Sequence, residues 1–133
     1  MEAAVVVNLD GEPLHWHVPP GRASAAIPGT RDLWDVIWEN RERVAGVAHS
    51  HPGSGLPGPS HEDVTTFAAI EAALGRRLGW WITSRDRVIE LRWLGPGKHR
   101  YGWREVQDDA EPRRWIQELR RLSYDAPANI EGR

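Results

Sequence analysis

The hydrophobic and polar positions along the chain follow two periods, which separate predicted strands from predicted helices. A period of two residues indicates a strand, because successive side chains of a strand point to opposite faces. Apolar residues three and four positions apart indicate a helix. The predicted strands are 3–9, 13–18, 44–48, 80–83 and 88–94, with shorter candidates at 23–27 and 100–107. The predicted helices begin at Thr30, run from Ser60 to Gly75, and cover 111–123.

The order of these elements predicts a mixed β-sheet flanked by helices. The run 44–48 is continuously small and apolar, which is typical of a central strand buried on both faces. The fold class is therefore an α/β domain of three layers or a related α+β sandwich. We expect 1–107 to form the main domain, a C-terminal helix within 108–124 to pack on or near it, and 125–133 to be a loose tail. Residues 130–133 match a processing-protease site used in recombinant expression and carry no functional argument.

A predicted hairpin near the N-terminus carries a pair of histidines. The Asp10-Gly11 turn leads into the strand 13–18, in which Leu14, Trp16 and Val18 would share one face. His15 and His17 would occupy the other face, and we interpret them as solvated surface. The eight tryptophans of the chain are expected to build the core.

The composition limits the possible metal ligands and binding partners more than it limits the possible folds. The chain has no cysteine, so a bound metal must be held by histidines and carboxylates. The formal net charge of −2 gives no global basic field for nucleic acid. No run approaches the roughly 18 apolar residues of a membrane span, and the N-terminus lacks signal-peptide features. These properties favour a cytoplasmic protein that binds neither membrane nor nucleic acid.

The candidate chemistry lies where the strand 44–48 runs into His49-Ser50-His51-Pro52. Two histidines at a spacing of two lie on the same side of a strand, near enough to share one ion. Asp63 falls in the first turn of the next predicted helix, where the intervening loop can fold it back toward them. Two histidines and one carboxylate leave a fourth position for water, as in a catalytic zinc site.

Each part of this pattern also has a simpler interpretation. Ser60-x-x-Asp63 is a capping box, which begins helices without any ligand. A His-x-His pair on a strand is usually two ordinary polar residues. The ordered succession of buried strand, Pro-Gly loop and Ser-x-x-Asp helix start favours the metal site, and capping is compatible with ligation.

Residues 49–63, from His49 through Ser60 to Asp63, resemble the signature of the JAMM metalloenzymes of the MPN-domain family. The resemblance extends over about 2–94, and the loop between His51 and Ser60 is one residue longer than is usual in the family. It implies a cytidine-deaminase-like MPN architecture and a Zn²⁺ ion held by His49, His51 and Asp63. It also implies that the hydroxyl of Ser60 stabilises an oxyanion and that an upstream Glu is the general base.

Two residues are candidates for that base. Glu2 opens the first strand and stands 47 residues before His49 (49 − 2), as in small prokaryotic members, whereas Glu12 needs another register. We favour Glu2. The glutamates of the predicted helices and their exits are expected to form solvated faces; these are Glu39, Glu42, Glu62 and Glu71. Because no helix precedes Glu2, we hypothesise that the helix 111–123 covers the surface an N-terminal helix occupies in the family.

The resemblance implies a zinc isopeptidase or peptidase that cleaves at the C-terminal tail of a ubiquitin-like or sulfur-carrier protein, with an activating enzyme as a further candidate partner. A tail of this kind suits a narrow groove at a sheet edge, which Trp80, Trp81 or Trp93 would line if they did not pack in the core. Release of an amino acid such as cysteine from a sulfur carrier would use the same residues. A non-catalytic MPN scaffold is a further alternative, which the complete ligand set disfavours. The related DNA-repair group has Asn where this chain has Ser50 and ranks lowest.

Overall fold

The computed structural model describes residues 3–18, 31–97, 100–107 and 115–125. Within these residues there are six strands: β1 (Ala4–Asn8), β2 (Pro13–His17), β3 (Val44–Ser50), β4 (Gly79–Thr83), β5 (Val88–Trp93) and β6 (Tyr101–Val106). There are three α-helices: α1 (Arg31–Glu39), α2 (His61–Leu74) and α3 (Trp115–Arg120). A π-helical segment, Arg121–Asp125, continues α3. The strand candidate at 23–27 and the predicted tail beyond Asp125 lie outside the described residues.

The six strands form one mixed sheet in the order β2-β1-β3-β4-β5-β6. The pair β3–β4 is parallel and the other neighbouring pairs are antiparallel. Helix α2 makes the crossover between the two parallel strands, so β3 and β4 end at the same edge of the sheet. The chain therefore brings the residues after Ser50 and after Thr83 to one place.

The helices cover both faces of this sheet, which confirms the predicted mixed sheet flanked by helices. Leu33 and Ile37 of α1 and Phe67 of α2 belong to one buried cluster, which defines the α1/α2 face. Trp115 and Leu119 of α3 belong to a second buried cluster, which defines the α3 face. Side chains of β1 alternate between the two clusters, as the period of two requires. Of the helices in the described part, none combines the length and apolar character that a bilayer crossing requires.

The β1–β2 hairpin departs from the alternation predicted for it. The register shifts between Val6 and Val7, and Leu14 lies in this irregularity. A bulge moves the residues beyond it to the other side of the strand. Leu14 consequently packs on the α1/α2 face and Trp16 on the α3 face, so the prediction that they share a face is wrong.

His17 is also placed differently from the prediction. It pairs with Ala4 and its residue is 7% exposed, so it is not solvated surface. Burial, and secondarily the charge of His15, lower the pKa of His17. His15 is partly buried, with its ring centroid 6.4 Å from that of His17.

Most of the tryptophans pack in the core as predicted. Trp80, Trp81 and Trp115 are buried, and Trp16, Trp34 and Trp93 pack against the two clusters. The expectation that tryptophans build the core is wrong for Trp38 and Trp103, which are exposed. The alternative in which Trp80 or Trp81 lines a substrate groove does not fit their burial.

Glu71 fixes the position of α2 on the sheet. Its carboxylate, predicted to be solvated, is buried and accepts hydrogen bonds from the Leu78 backbone N–H, the Trp80 indole and the Tyr101 hydroxyl. Arg77 completes the set with an ion pair. A buried carboxylate is tolerated when its oxygens are satisfied in this way. The prediction of a solvated face is therefore wrong for Glu71.

Candidate metal centre

The end of β3 presents two histidines on one face and a serine on the other. His49 is fully buried, and its ring meets that of Phe67 edge-to-face at 6.4 Å on the α1/α2 face. His51 follows the strand and its backbone N–H donates to Thr83 O of β4 at 2.9 Å, which continues the parallel pairing. Ser50 points to the α3 face. The alternation predicted from the sequence thus brings both imidazoles together.

Asp63 reaches these histidines from the first turn of α2. Ser60 caps the helix: its Oγ accepts from the Asp63 N–H at 3.0 Å, and its own N–H donates to Asp63 Oδ2 at 2.9 Å. The predicted capping box is present, and it orients the carboxylate toward the strand. Capping and proximity to the histidines therefore use the same side chain.

The three side chains are spaced as ligands of one ion would be. His49 Nε2 lies 3.1 Å from His51 Nε2 and 3.3 Å from Asp63 Oδ1, and His51 Nε2 lies 3.1 Å from Asp63 Oδ2. A tetrahedral ion with bonds of about 2.05 Å has ligand–ligand edges of about 3.3 Å. His49, His51 and Asp63 form a buried group that can hold a metal ion.

Electrostatics favour the protonation states that a metal requires. Burial lowers the pKa of His49 and outweighs the opposing effect of Asp63. Burial alone would raise the pKa of Asp63, but hydrogen bonds from His49, His51 and the Ser60 N–H hold it well below its ordinary value. Metal binding needs neutral imidazoles and an ionised carboxylate. The shifts of the His49 and Asp63 pKa values are therefore in the direction that a bound cation requires.

The outer nitrogen of His49 adds an independent observation. With Nε2 facing the other two side chains, a neutral metal-binding imidazole carries its proton on Nδ1. His49 Nδ1 is buried and has no hydrogen-bond partner among the described residues. Ligand histidines usually donate this proton to a fixed acceptor. Among the described residues, His49 Nδ1 therefore lacks the acceptor that a ligand histidine usually has.

The comparisons with known proteins add no relative. The comparison with protein-family models and the comparison with curated proteins both find no match for this chain. No matched protein therefore indicates the reaction of this chain.

The two candidate bases lie in different situations. Glu2 lies outside the described residues, but Ala3, to which it is joined, is held beside the histidine pair. The Ala3 N–H donates to Ser50 Oγ at 3.0 Å, and Ser50 N–H donates to Ala3 O at 3.1 Å. Glu12 is exposed at the other end of β1, where Asn8 pairs with the beginning of β3. Whether Glu2 or Glu12 is the base stays a prediction, because Glu2 lies outside the described residues.

The loop of residues 52–59 is fastened to the turn between β4 and β5. The Arg85 N–H donates to Gly53 O at 3.0 Å, and the Gly55 N–H donates to Asp86 Oδ1 at 2.8 Å. The Ser84 hydroxyl donates to Gly55 O at 2.5 Å. Gly53 and Gly55 have φ of 89° and 93°, a conformation that glycine adopts without strain. The longer loop thus keeps a defined path between His51 and the start of α2.

A cleft opens beside the beginning of α2. Its volume is about 680 Å³, and residues of the helix start and of β6 line it, among them Ser60, Val64, Tyr101 and Trp103. Ser60 belongs both to this cleft and to the cap of Asp63. A molecule in the cleft therefore lies against the same turn of helix that supplies the carboxylate.

Sequence reasoning missed a set of contacts from the segment after α3. Ser123 and Tyr124 form hydrogen bonds with Ser50 and with the backbone of His51, respectively. One signal for Ser123 was present, since it stands four residues after Leu119 and so continues the buried stripe of the predicted helix. Tyr124 had no comparable signal.

Proposed function

We propose that this chain is a zinc-dependent hydrolase that cleaves an amide bond at the C-terminal tail of a ubiquitin-like or sulfur-carrier protein. The observation that supports it most is the buried group of His49, His51 and Asp63, with ligand-atom separations of 3.1–3.3 Å. The resemblance of residues 49–63 to JAMM metalloenzymes extends this to an isopeptidase or peptidase.

Zinc is the metal that fits the donor set best. Two imidazole nitrogens and one carboxylate, without any thiolate, match three-ligand catalytic zinc sites. The site reaches solvent at His51, since the His51 side chain is 11% exposed whereas those of His49 and Asp63 are fully buried. A bound zinc supplies a water whose pKa lies near 7, so that hydroxide is available at neutral pH.

The side chains around the ligands have separable roles in this proposal. Ser60 Oγ accepts from the Asp63 N–H, and its own proton has no acceptor among the described residues, so it is available to an oxyanion. Glu2 would take the proton of the attacking water and pass it to the leaving amine. The anchoring of Ala3 on Ser50 supports this assignment, because it ties the chain next to Glu2 to the histidine pair.

The proposed substrate class follows from the resemblance and from the shape of the surface. A Gly-Gly tail is narrow and extended, and it can pair with a sheet edge while its last residues reach a recessed site. The cleft bordered by Ser60 and Trp103 has room for a few residues beside the helix start. Release of an amino acid such as cysteine from a sulfur carrier differs only in the leaving group and is the second form of the proposal.

Metal analysis of the purified protein tests the site. We expect about one zinc per chain in the wild type, and loss of zinc in His49→Ala and in Asp63→Ala. His15→Ala is the matched control, since His15 belongs to the other His-x-His pair and should leave the zinc in place. Full zinc in His49→Ala would refute the assignment.

Cleavage assays test the reaction. Ubiquitin-like and sulfur-carrier proteins carrying a C-terminal peptide, a lysine-linked partner or a single cysteine would be offered to the zinc-loaded protein. We expect cleavage after the tail, and Glu2→Gln should keep the zinc but lose cleavage. If Glu2→Gln retains activity, another residue is the general base. If the zinc-loaded wild type cleaves none of these substrates, the result favours the non-catalytic scaffold.

A further inference from the structure

The segment that follows α3 contacts the histidine motif on the face of β3 opposite the two imidazoles. Ser50 stands between the two candidate ligands, is fully buried and points away from them, to the α3 face. Its Oγ lies 2.7 Å from Ser123 Oγ, and Ser123 is also buried. The hydroxyl of Ser123 in turn donates to Leu119 O at 2.7 Å, inside its own helix.

These contacts form a continuous chain of hydrogen bonds across two strands and a helix. Each serine has one proton and can accept as well as donate. The Ala3 N–H donates to Ser50 Oγ, the Ser123 hydroxyl lies 2.7 Å from both Ser50 Oγ and Leu119 O, and the Ser50 hydroxyl also lies 3.4 Å from Ala3 O. Buried chains of this kind fix the groups they join, because no water can replace a lost partner.

Tyr124 acts on the second ligand directly. Its hydroxyl donates to the backbone carbonyl of His51 and lies 3.2 Å from Thr83 O of the neighbouring strand. Arg85 lies over the Tyr124 ring at 4.9 Å, which ties the tyrosine to the turn that also holds the long loop. The residue after His51 is a proline, which has no N–H with which to continue the strand pairing beyond His51.

From this geometry we infer that Ser123 and Tyr124 are positioning residues of the metal centre. Ser123, through Ser50, sets the spacing between the histidine strand and Ala3, next to the proposed base. Tyr124 sets the orientation of the His51 backbone and hence of its imidazole. The inference rests on the proposed function, because it assigns the two residues to the metal site rather than to the stability of the fold.

Outer-shell contacts of this type act on metal affinity. Loss of a group that orients a ligand typically lowers metal affinity about 10–100-fold. A residue that merely packs the helix would change thermal stability and leave the affinity for zinc as it was. Metal affinity therefore separates the two roles without requiring any substrate.

Three variants and one control test the inference. Ser123→Val and Ser123→Thr have the same shape and differ only in the hydroxyl, and Tyr124→Phe removes only the phenolic oxygen. Zn²⁺ affinity would be measured by competition with a chelating dye, and Co²⁺ would be used as a spectroscopic probe of ligand geometry. Glu118→Gln is the control, since it breaks an exposed ion pair with Arg121 on the same segment.

We expect Zn²⁺ affinity to fall at least about tenfold in Ser123→Val and in Tyr124→Phe, with an altered Co²⁺ spectrum, and to be retained in Ser123→Thr and Glu118→Gln. If cleavage is found, kcat should fall in the first two variants while KM stays, because neither side chain reaches the substrate. If Ser123→Val fails to fold, the Zn²⁺ affinity of Tyr124→Phe still tests the inference. Wild-type affinity in both variants would overturn the inference alone, whereas a wild type that binds no metal would overturn the proposed function with it.

Discussion

Replacing the buried Glu71 carboxylate is the sharpest test of how α2 is held on the sheet. Its Oε2 accepts from the Leu78 N–H at 2.9 Å and the Trp80 indole at 2.8 Å. Its Oε1 accepts from the Tyr101 hydroxyl at 2.6 Å and from Arg77 Nη1 at 3.0 Å. In Glu71→Gln one oxygen becomes an NH₂ group, and in Glu71→Leu both oxygens disappear.

The partners decide how much each change costs. The two N–H donors cannot turn around, so the glutamine oxygen must remain at the Oε2 position. The Tyr101 hydroxyl can rotate to accept from the new NH₂, and the Arg77 side chain, 55% exposed, can move to water. Hydrogen bonds to a charged group contribute about 1.5–3 kcal/mol and neutral ones about 1 kcal/mol, so Glu71→Gln should cost about 2 kcal/mol. Glu71→Leu leaves the donors buried without an acceptor, at about 1–3 kcal/mol each, or about 4 kcal/mol in total.

Urea unfolding followed by tryptophan fluorescence measures both values, and the Trp80 ring, stacked 4.3 Å from Phe67, makes the signal sensitive to this region. Glu105→Gln provides the control, since its ion pair with Arg87 is exposed and should contribute little to stability. A Glu71→Leu protein as stable as the wild type would refute the reasoning, because it would mean that the unsatisfied donors carry no penalty.

Three further predictions concern single positions. Ser60→Ala should lower the free energy of unfolding by about 1 kcal/mol through loss of the cap on the Asp63 N–H, while Ser60→Asn keeps the cap. Ser60→Ala should also lower amide hydrolysis about 100-fold, and a fully active Ser60→Ala would exclude the hydroxyl from catalysis. Gly46→Ala would bring a Cβ to 2.1 Å from a backbone oxygen of β4 and should cost about 3 kcal/mol in urea unfolding, whereas Gly58→Ala, in open space, should be within about 0.5 kcal/mol of wild type. Burial and the neighbouring Glu71 carboxylate raise the pKa of Tyr101 well above its ordinary value, so the unfolded chain releases this proton first and stability should fall as pH rises above about 10. Tyr101→Phe should remove that part of the slope, and an unchanged slope would contradict the assignment.

The sequence predicted the fold and the ligand group where local rules suffice. Strand and helix periods identified the described elements, and the alternation at the end of β3 placed His49 and His51 on one side. The capping box placed Asp63, because cap geometry is set within four residues. These features depend on neighbours in the chain, which a single sequence displays directly.

Features that depend on distant partners were predicted poorly. Glu71 looks like a surface residue of a helix, and only the arrival of Trp80 and Tyr101 makes its position a buried one. His17 is buried because its strand pairs with β1 beside the sheet face that α1 and α2 cover. The bulge at Leu14 that changes the alternation of this strand has no sequence signal of its own. Ser123 meets Ser50 from 73 residues away, a separation over which no periodicity carries information.

That separation has a consequence for the order in which the protein is made. The candidate ligands at 49, 51 and 63 are synthesised well before Ser123 and Tyr124, which contact the motif from 73 residues away. Because contacts so far apart in sequence carry a high loop-closure entropy, we expect them to form late in folding. We therefore expect the metal centre to be completed when the short helical segment 115–125 docks on strands that have already paired.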